Sequence, residues 1–105
     1  LSDEDMLAAF RVNVVSAALV AQTVKPALTP MQGTLVMIGS LAGLTAPKGM
    51  GAYCIVKHAL TGLARQLRRE WKEVGVHVML VCPGPIARAD QDDRYRSLVE
   101  QRHLP

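Results

Sequence analysis

Tyr53 and Lys57 stand four residues apart in the run Tyr-Cys-Ile-Val-Lys, and Ser40 precedes them across a stretch rich in Gly and Pro. On a helix that spacing stacks the phenol and the ammonium on one face, one turn apart. A free phenol titrates near ~10, too high for a useful base at neutrality. A neighbouring ammonium favours the phenolate, and a depression of two units would correspond to roughly 2.7 kcal/mol. A serine hydroxyl can hydrogen-bond a substrate oxygen as the charge on that oxygen changes. Together these groups suit proton transfer to or from a carbonyl or alcohol oxygen, with Tyr53 as general acid/base. A lone Tyr-x-x-x-Lys pair is most simply an exposed helix pair. What gives this one meaning is the set of elements around it.

Ser2-Asp3-Glu4-Asp5 is a helix start, with Ser2 as cap, Asp5 at the capping-box position and acids complementing the helix dipole. Leu7, Phe10, Val14, Ala17, Ala18, Ala21 and Val24 then recur at helical spacing. Ala8, Ala9, Val12, Val15 and Leu19 occupy the other side, so the helix over Ser2–Leu28 requires cover on more than one side. Pro26 and Pro30 end or kink it near Leu28. Thr34–Ile38 is a short unbroken apolar run after the Gln32-Gly33 turn, which predicts a strand buried on both faces. Gly39-Ser40 ends that strand, and Gly43, Pro47, Gly49 and Gly51 predict an irregular loop over Leu41–Gly51.

A second helix is predicted from about Ala52 to Val74, with Ala59, Leu60, Leu63, Leu67 and Trp71 as its apolar stripe and Gly75 as its stop. Val76–Cys82 is a second buried strand, halted by Pro83-Gly84-Pro85. The charged remainder, Ala87–Pro105, predicts a loop and a short helix around Asp92–Gln101. Strand, crossover helix, strand is a right-handed βαβ unit. The fold class is therefore α/β, part of a doubly wound parallel sheet in helix-strand-helix-strand order. Two strands cannot bury both their faces under one layer of helix, so further strands and helices are expected beside them. The absence of an initial Met and the immediate helix start agree in predicting a piece of a longer protein.

Ligands of open α/β sheets bind outside the carboxyl ends of the strands. Ser40 and Pro83-Gly84 end the two strands on that edge, and the loop after Ser40 leads into the helix carrying Tyr53 and Lys57. These features converge on one crevice. At 105 residues, half of them apolar and a fifth charged, the chain is at most one globular domain. Net charge is only +3, and one Trp, two Tyr and one Phe do not make a nucleic-acid stacking platform. Arg65, Arg68, Arg69 and Lys72 read as a solvated helix face. Cys54 and Cys82 lack metal or C-x-x-C spacing and predict reduced, buried thiols in a cytoplasmic protein. His58, His77 and His103 are scattered, so no metal is expected. No apolar run approaches the ~20 residues of a membrane span.

Ser40, then Tyr53-Cys-Ile-Val-Lys57, then Pro83-Gly84, with Asn13 upstream in Arg-Val-Asn-Val, resembles the catalytic half of the short-chain dehydrogenase/reductase family. The resemblance runs to about Ile86 and holds four motifs in register. It implies the C-terminal part of one Rossmann-like domain over residues 1–105, without its cofactor-binding N-terminal half. It further implies hydride exchange between NAD or NADP and an alcohol/carbonyl pair, with Asn13, Ser40, Tyr53 and Lys57 catalytic. Lys57 would also hold the nicotinamide ribose, Asn13 would anchor a water linking Lys57 to solvent, and Pro83, Gly84, Pro85 and Ile86 would flank the nicotinamide.

Dimerisation or tetramerisation through the helices over 2–28 and 52–74 is implied as well. The sequence departs from the family in two places. The glycine-rich pyrophosphate loop is missing, and near Arg88 the hydroxyl that often follows the Pro-Gly is absent. A fragment of these residues alone is therefore expected to be inactive. The same fold also serves lyases, dehalogenases and epimerases, and the Ser/Tyr/Lys set with Pro-Gly argues against most of these. A non-catalytic dinucleotide sensor or scaffold is the alternative reading.

Overall fold

The computed structural model describes residues 2–84. The chain opens on a helix in three consecutive parts: α1 (Asp3–Phe10), a π-helical segment (Arg11–Val15) and α2 (Ser16–Leu28). Ser2 caps it as expected, its hydroxyl accepting the Asp5 amide at 3.1 Å. Pro26 sits inside the last turn, and the helix closes at Thr29, whose amide donates to the Lys25 carbonyl at 3.0 Å. The π segment has no counterpart in the residue pattern. It falls on Arg11-Val-Asn-Val-Val15, where the backbone widens and the Asn13 side-chain amide donates to the Ala9 carbonyl at 2.9 Å.

β1 (Thr34–Ile38) and β2 (His77–Val81) form a parallel pair in the register Thr34↔His77 to Ile38↔Val81, joined through α3 (Gly51–Trp71). After α3 a 3₁₀ turn (Lys72–Val74) leads to Gly75 in the left-handed region at φ 76°. The Val76 amide reaches the Trp71 carbonyl at 3.2 Å and the Gly75 amide the Lys72 carbonyl at 3.1 Å, the two bonds of a Schellman stop. Gly75→Ala places a Cβ on that positive φ, and a stability loss of about 1 kcal/mol is expected in chemical denaturation of the full-length protein.

The core lies between the helices and one face of the sheet. Ala21, Met37, Leu60, Ala64, Trp71, Val76 and Val78 are buried together, with Leu35, Leu63, Leu67 and Leu80 packed around them. The predicted α3 stripe through Leu60 and Trp71 thus faces inward. The other sheet face is open, as expected of two apolar strands with helix packed on one side only. Val36, Ile38, Met79 and Val81, at 44–60% exposure, line it. Their apolar character is that of a parallel sheet, whose two faces are both normally covered.

Leu7, Val12, Leu19 and Val20 are likewise exposed on the first helix, so the second side expected to need cover lacks it here. That helix is long enough to span a bilayer, although Arg11, Asn13, Gln22 and Lys25 interrupt it and no unbroken apolar run in it approaches ~20 residues. Because the π segment joins α1 and α2 without a break, Asp3–Leu28 is a 26-residue helix, and an 18-residue stretch within it has mean hydropathy 1.5, enough to cross a bilayer by length and composition. Ala21 nonetheless packs into the core with Met37 and Leu60, as a sheet-covering helix does.

Candidate active site

Parallel strands in register place the end of β1 and the end of β2 on one edge. The backbone ties them together there: the Gly39 amide donates to the Val81 carbonyl at 2.7 Å, and the Leu41 amide to the Pro83 carbonyl at 3.1 Å. Ser40 follows β1 in extended conformation and caps a 3₁₀ turn over Leu41–Gly43. Its Oγ accepts the Ala42 amide at 3.1 Å, which orients the hydroxyl and leaves its proton available for donation. The Gly43 amide closes the turn on the Ser40 carbonyl at 2.9 Å.

Tyr53 and Lys57 lie on the first two turns of α3, as the spacing predicts. The Lys57 ammonium sits over the Tyr53 ring, 5.4 Å from its centroid. At that distance an ammonium is attracted by the electron-rich ring face. Tyr53 is 44% exposed and Lys57 is half-buried. Asn13, Lys57, Ser16 and the β1 residues Val36 and Ile38 line one open cleft of about 310 Å³. The π segment of the first helix and α3 thus bring Asn13 and Lys57 to the same space. Ser40 and Tyr53 do not line that cleft, and Ser40 is related to α3 through its turn instead.

Pro83 and Gly84 follow β2 beside this turn, Pro83 holding Leu41 and Gly84 lying exposed. Pro85, Ile86, Arg88 and the helix expected around Asp92–Gln101 lie outside the described residues. His58 is engaged by its own helix, its Nδ1–H donating to the Cys54 carbonyl at 2.9 Å. Cys54 and Cys82 are free thiols, the first buried and the second half-buried.

Two contacts at the site belong to no motif in the sequence. The Cys54 thiol donates to the Ala42 and Thr45 carbonyls at 3.1 and 3.2 Å, and buried Thr61 donates to the Gly43 carbonyl at 3.3 Å. Both fasten the Ser40 turn onto α3. The sequence does carry a faint signal, since Cys54, Lys57 and Thr61 recur at the three- and four-residue spacings of one helix face.

The profile of the short chain dehydrogenase family matches residues 1–97. The chain belongs to that family. Among its relatives, the "inactive 2-(S)-hydroxypropyl-CoM dehydrogenase 2" of Xanthobacter autotrophicus is 40% identical over 83 residues, which cover 75% of this chain and 35% of the relative. An oxidoreductase of the short chain dehydrogenase/reductase family from Burkholderia thailandensis superposes with a TM-score of 0.82 at 25% identity, covering 96% of this chain and 40% of that one. A 4-hydroxyisoleucine dehydrogenase solved with NADH gives a TM-score of 0.81 at 28% identity, over 96% of this chain and 43% of that one. The chain thus spans about a third of the length of curated relatives that it matches. The short-chain dehydrogenase fold accounts for the parallel strands, the crossover helix and the apolar second sheet face.

Proposed function

We propose that the full-length protein is a nicotinamide-dependent oxidoreductase that interconverts an alcohol and a ketone or aldehyde, and that residues 1–105 are the catalytic half of its single Rossmann-like domain. The observation that carries this reading is the Lys57 ammonium 5.4 Å from the Tyr53 ring, on the helix entered from the Ser40 turn, in a chain of this family. When bound, NAD or NADP would supply or accept the hydride at the substrate carbon. In the reductive direction Tyr53 donates its phenolic proton to the carbonyl oxygen, and in the oxidative direction the phenolate takes it back. Lys57 keeps a positive charge over the ring of that phenol. Ser40, its Oγ already engaged by the Ala42 amide, gives its hydroxyl proton in hydrogen bonding to the substrate oxygen.

These residues would serve the nicotinamide end of the cofactor. Lys57 would hold the ribose hydroxyls, and the exposed Gly84 with Pro83, Pro85 and Ile86 would flank the ring. Asn13, in the cleft it shares with Lys57, would hold the water through which Lys57 exchanges protons with solvent. The dinucleotide's phosphates would fall to the part of the protein outside residues 1–105. Exposed Leu7, Val12 and Leu19 support a homodimer or homotetramer formed through the helices over 2–28 and 52–74. The two free thiols fit a cytoplasmic location.

A second reading, a dinucleotide-binding protein without turnover, draws support from the Xanthobacter relative that is named inactive. Nicotinamide absorbance with the full-length protein and a panel of alcohols and ketones separates the two. Oxidation or reduction of the cofactor with at least one substrate is expected. Cofactor binding with no redox change across the panel would favour the second reading.

A further inference from the structure

We propose that Thr61, acting with Gly43, is a positioning residue that sets the distance between the Ser40 turn and the Lys57 turn of α3. The inference rests on the oxidoreductase reading of Ser40, Tyr53 and Lys57. Thr61 is 3% exposed, and its hydroxyl lies 3.0 Å from the Lys57 carbonyl and 3.3 Å from the Gly43 carbonyl. The single hydroxyl proton has both carbonyls within reach, so Thr61 links the loop to the residue that bears the ammonium. Gly43 makes the approach possible. A Cβ there would stand 2.6 Å from both the Lys57 carbonyl oxygen and Thr61 Oγ1, so the bare Gly43 backbone rests directly on the Lys57 peptide. Gly43 is joined in turn to the Ser40 carbonyl, and Ser40 Oγ is held by the Ala42 amide. From Thr61 to Ser40 the chain of contacts is short and largely backbone.

A second pin completes the bracket. Cys54, adjacent to Tyr53, donates to the carbonyls of Ala42 and Thr45 at 3.1 and 3.2 Å. Cys54 and Thr61 are two helical turns apart on one face, so Lys57 sits on helix held to the loop before and behind, and Tyr53 adjoins the first pin. The turn is also tied to the end of β2 through the Leu41 amide and the Pro83 carbonyl. Thr61 touches no reacting atom. Its effect is on where the serine hydroxyl stands relative to the phenol and ammonium. A misplacement of about 1 Å in such an arrangement costs about 10²-fold in rate.

The test uses the full-length protein with Thr61→Val, Thr61→Ser and Gly43→Ala. Rates are normalised to folded protein and paired with hydrogen exchange of the 41–45 amides. Thr61→Val removes the clip without changing side-chain size, and kcat is expected to fall about 10- to 100-fold with KM little changed. Faster amide exchange over 41–45 should accompany the loss. Thr61→Ser keeps the hydroxyl and is expected to restore kcat and protection. Gly43→Ala pushes the same surfaces apart from the loop side and should reproduce the kcat loss. Faster exchange with an unchanged kcat would overturn the proposal, leaving Thr61 a stabilising contact only. An equal loss in Thr61→Ser would overturn it too. A wild-type protein that turns over nothing while protecting 41–45 normally would instead overturn the oxidoreductase reading, and the positioning role with it.

Discussion

Tyr53→Phe in the full-length protein is expected to lower kcat by about 10²- to 10⁴-fold, the usual contribution of a positioned acid/base. Dinucleotide affinity should change little. The substitution removes one oxygen and keeps the ring, so the Lys57 ammonium retains the aromatic face it now sits over at 5.4 Å. Lys57→Met makes the contrast: it removes the charge beside the phenol and the group proposed to hold the ribose, so turnover and binding should fall together. Steady-state rates and fluorescence titration with NADH and NADPH check both variants. Retained turnover in Tyr53→Phe would mean that the proton comes from elsewhere.

Trp71→Ala is expected to produce the largest loss of stability. Trp71 is 4% exposed and closes the core against Ala21, Leu60, Val76 and Val78, and the Lys25 ammonium lies 5.6 Å from its ring. Truncation of a buried aromatic typically costs about 3–5 kcal/mol, because the cavity collapses only in part. Against a total domain stability of about 5–15 kcal/mol, that loss should shift the denaturation curve plainly. Trp71 is the single tryptophan of these 105 residues, so circular dichroism is the better probe of the variant than intrinsic fluorescence. A loss below about 1 kcal/mol would show that the helix end is not part of the cooperative core.

The strands are readable in the sequence because each is a short apolar run with a defined stop. Thr34–Ile38 runs up to Gly39, and His77–Val81 ends just before Cys82 and Pro83. Their burial is not readable in the same way. An unbroken apolar run says that both faces are fit to be covered. Whether Val36, Ile38, Met79 and Val81 are covered depends on elements beyond β1, β2 and α3. The π segment is hidden for a related reason. Val14, Ala17 and Ala21 keep an approximately helical apolar period across it, and neither Gly nor Pro marks the widened turn at Asn13.

At the site, Tyr53 and Lys57 are legible because their relation is local to one helix. The end of β1 at Ser40 is equally plain from Gly39-Ser40 closing an apolar run. Asn13 and Lys57 sharing a cleft is a tertiary fact, and only the family resemblance points to it. Cys54 and Thr61 look like small core residues in the sequence, since side-chain bonds to loop carbonyls depend on how closely Gly43 approaches α3.

Isotope transfer tests the central claim most directly. NADH and NADPH carrying deuterium at the transferable C4 position would be incubated with the full-length protein and a ketone that it reduces. Deuterium bound to the carbinol carbon of the alcohol product, with the new hydroxyl proton drawn from solvent, is the result expected of hydride transfer with Tyr53 as proton donor. An alcohol product without deuterium at that carbon, or bound cofactor that keeps its label through every ketone tried, would contradict it.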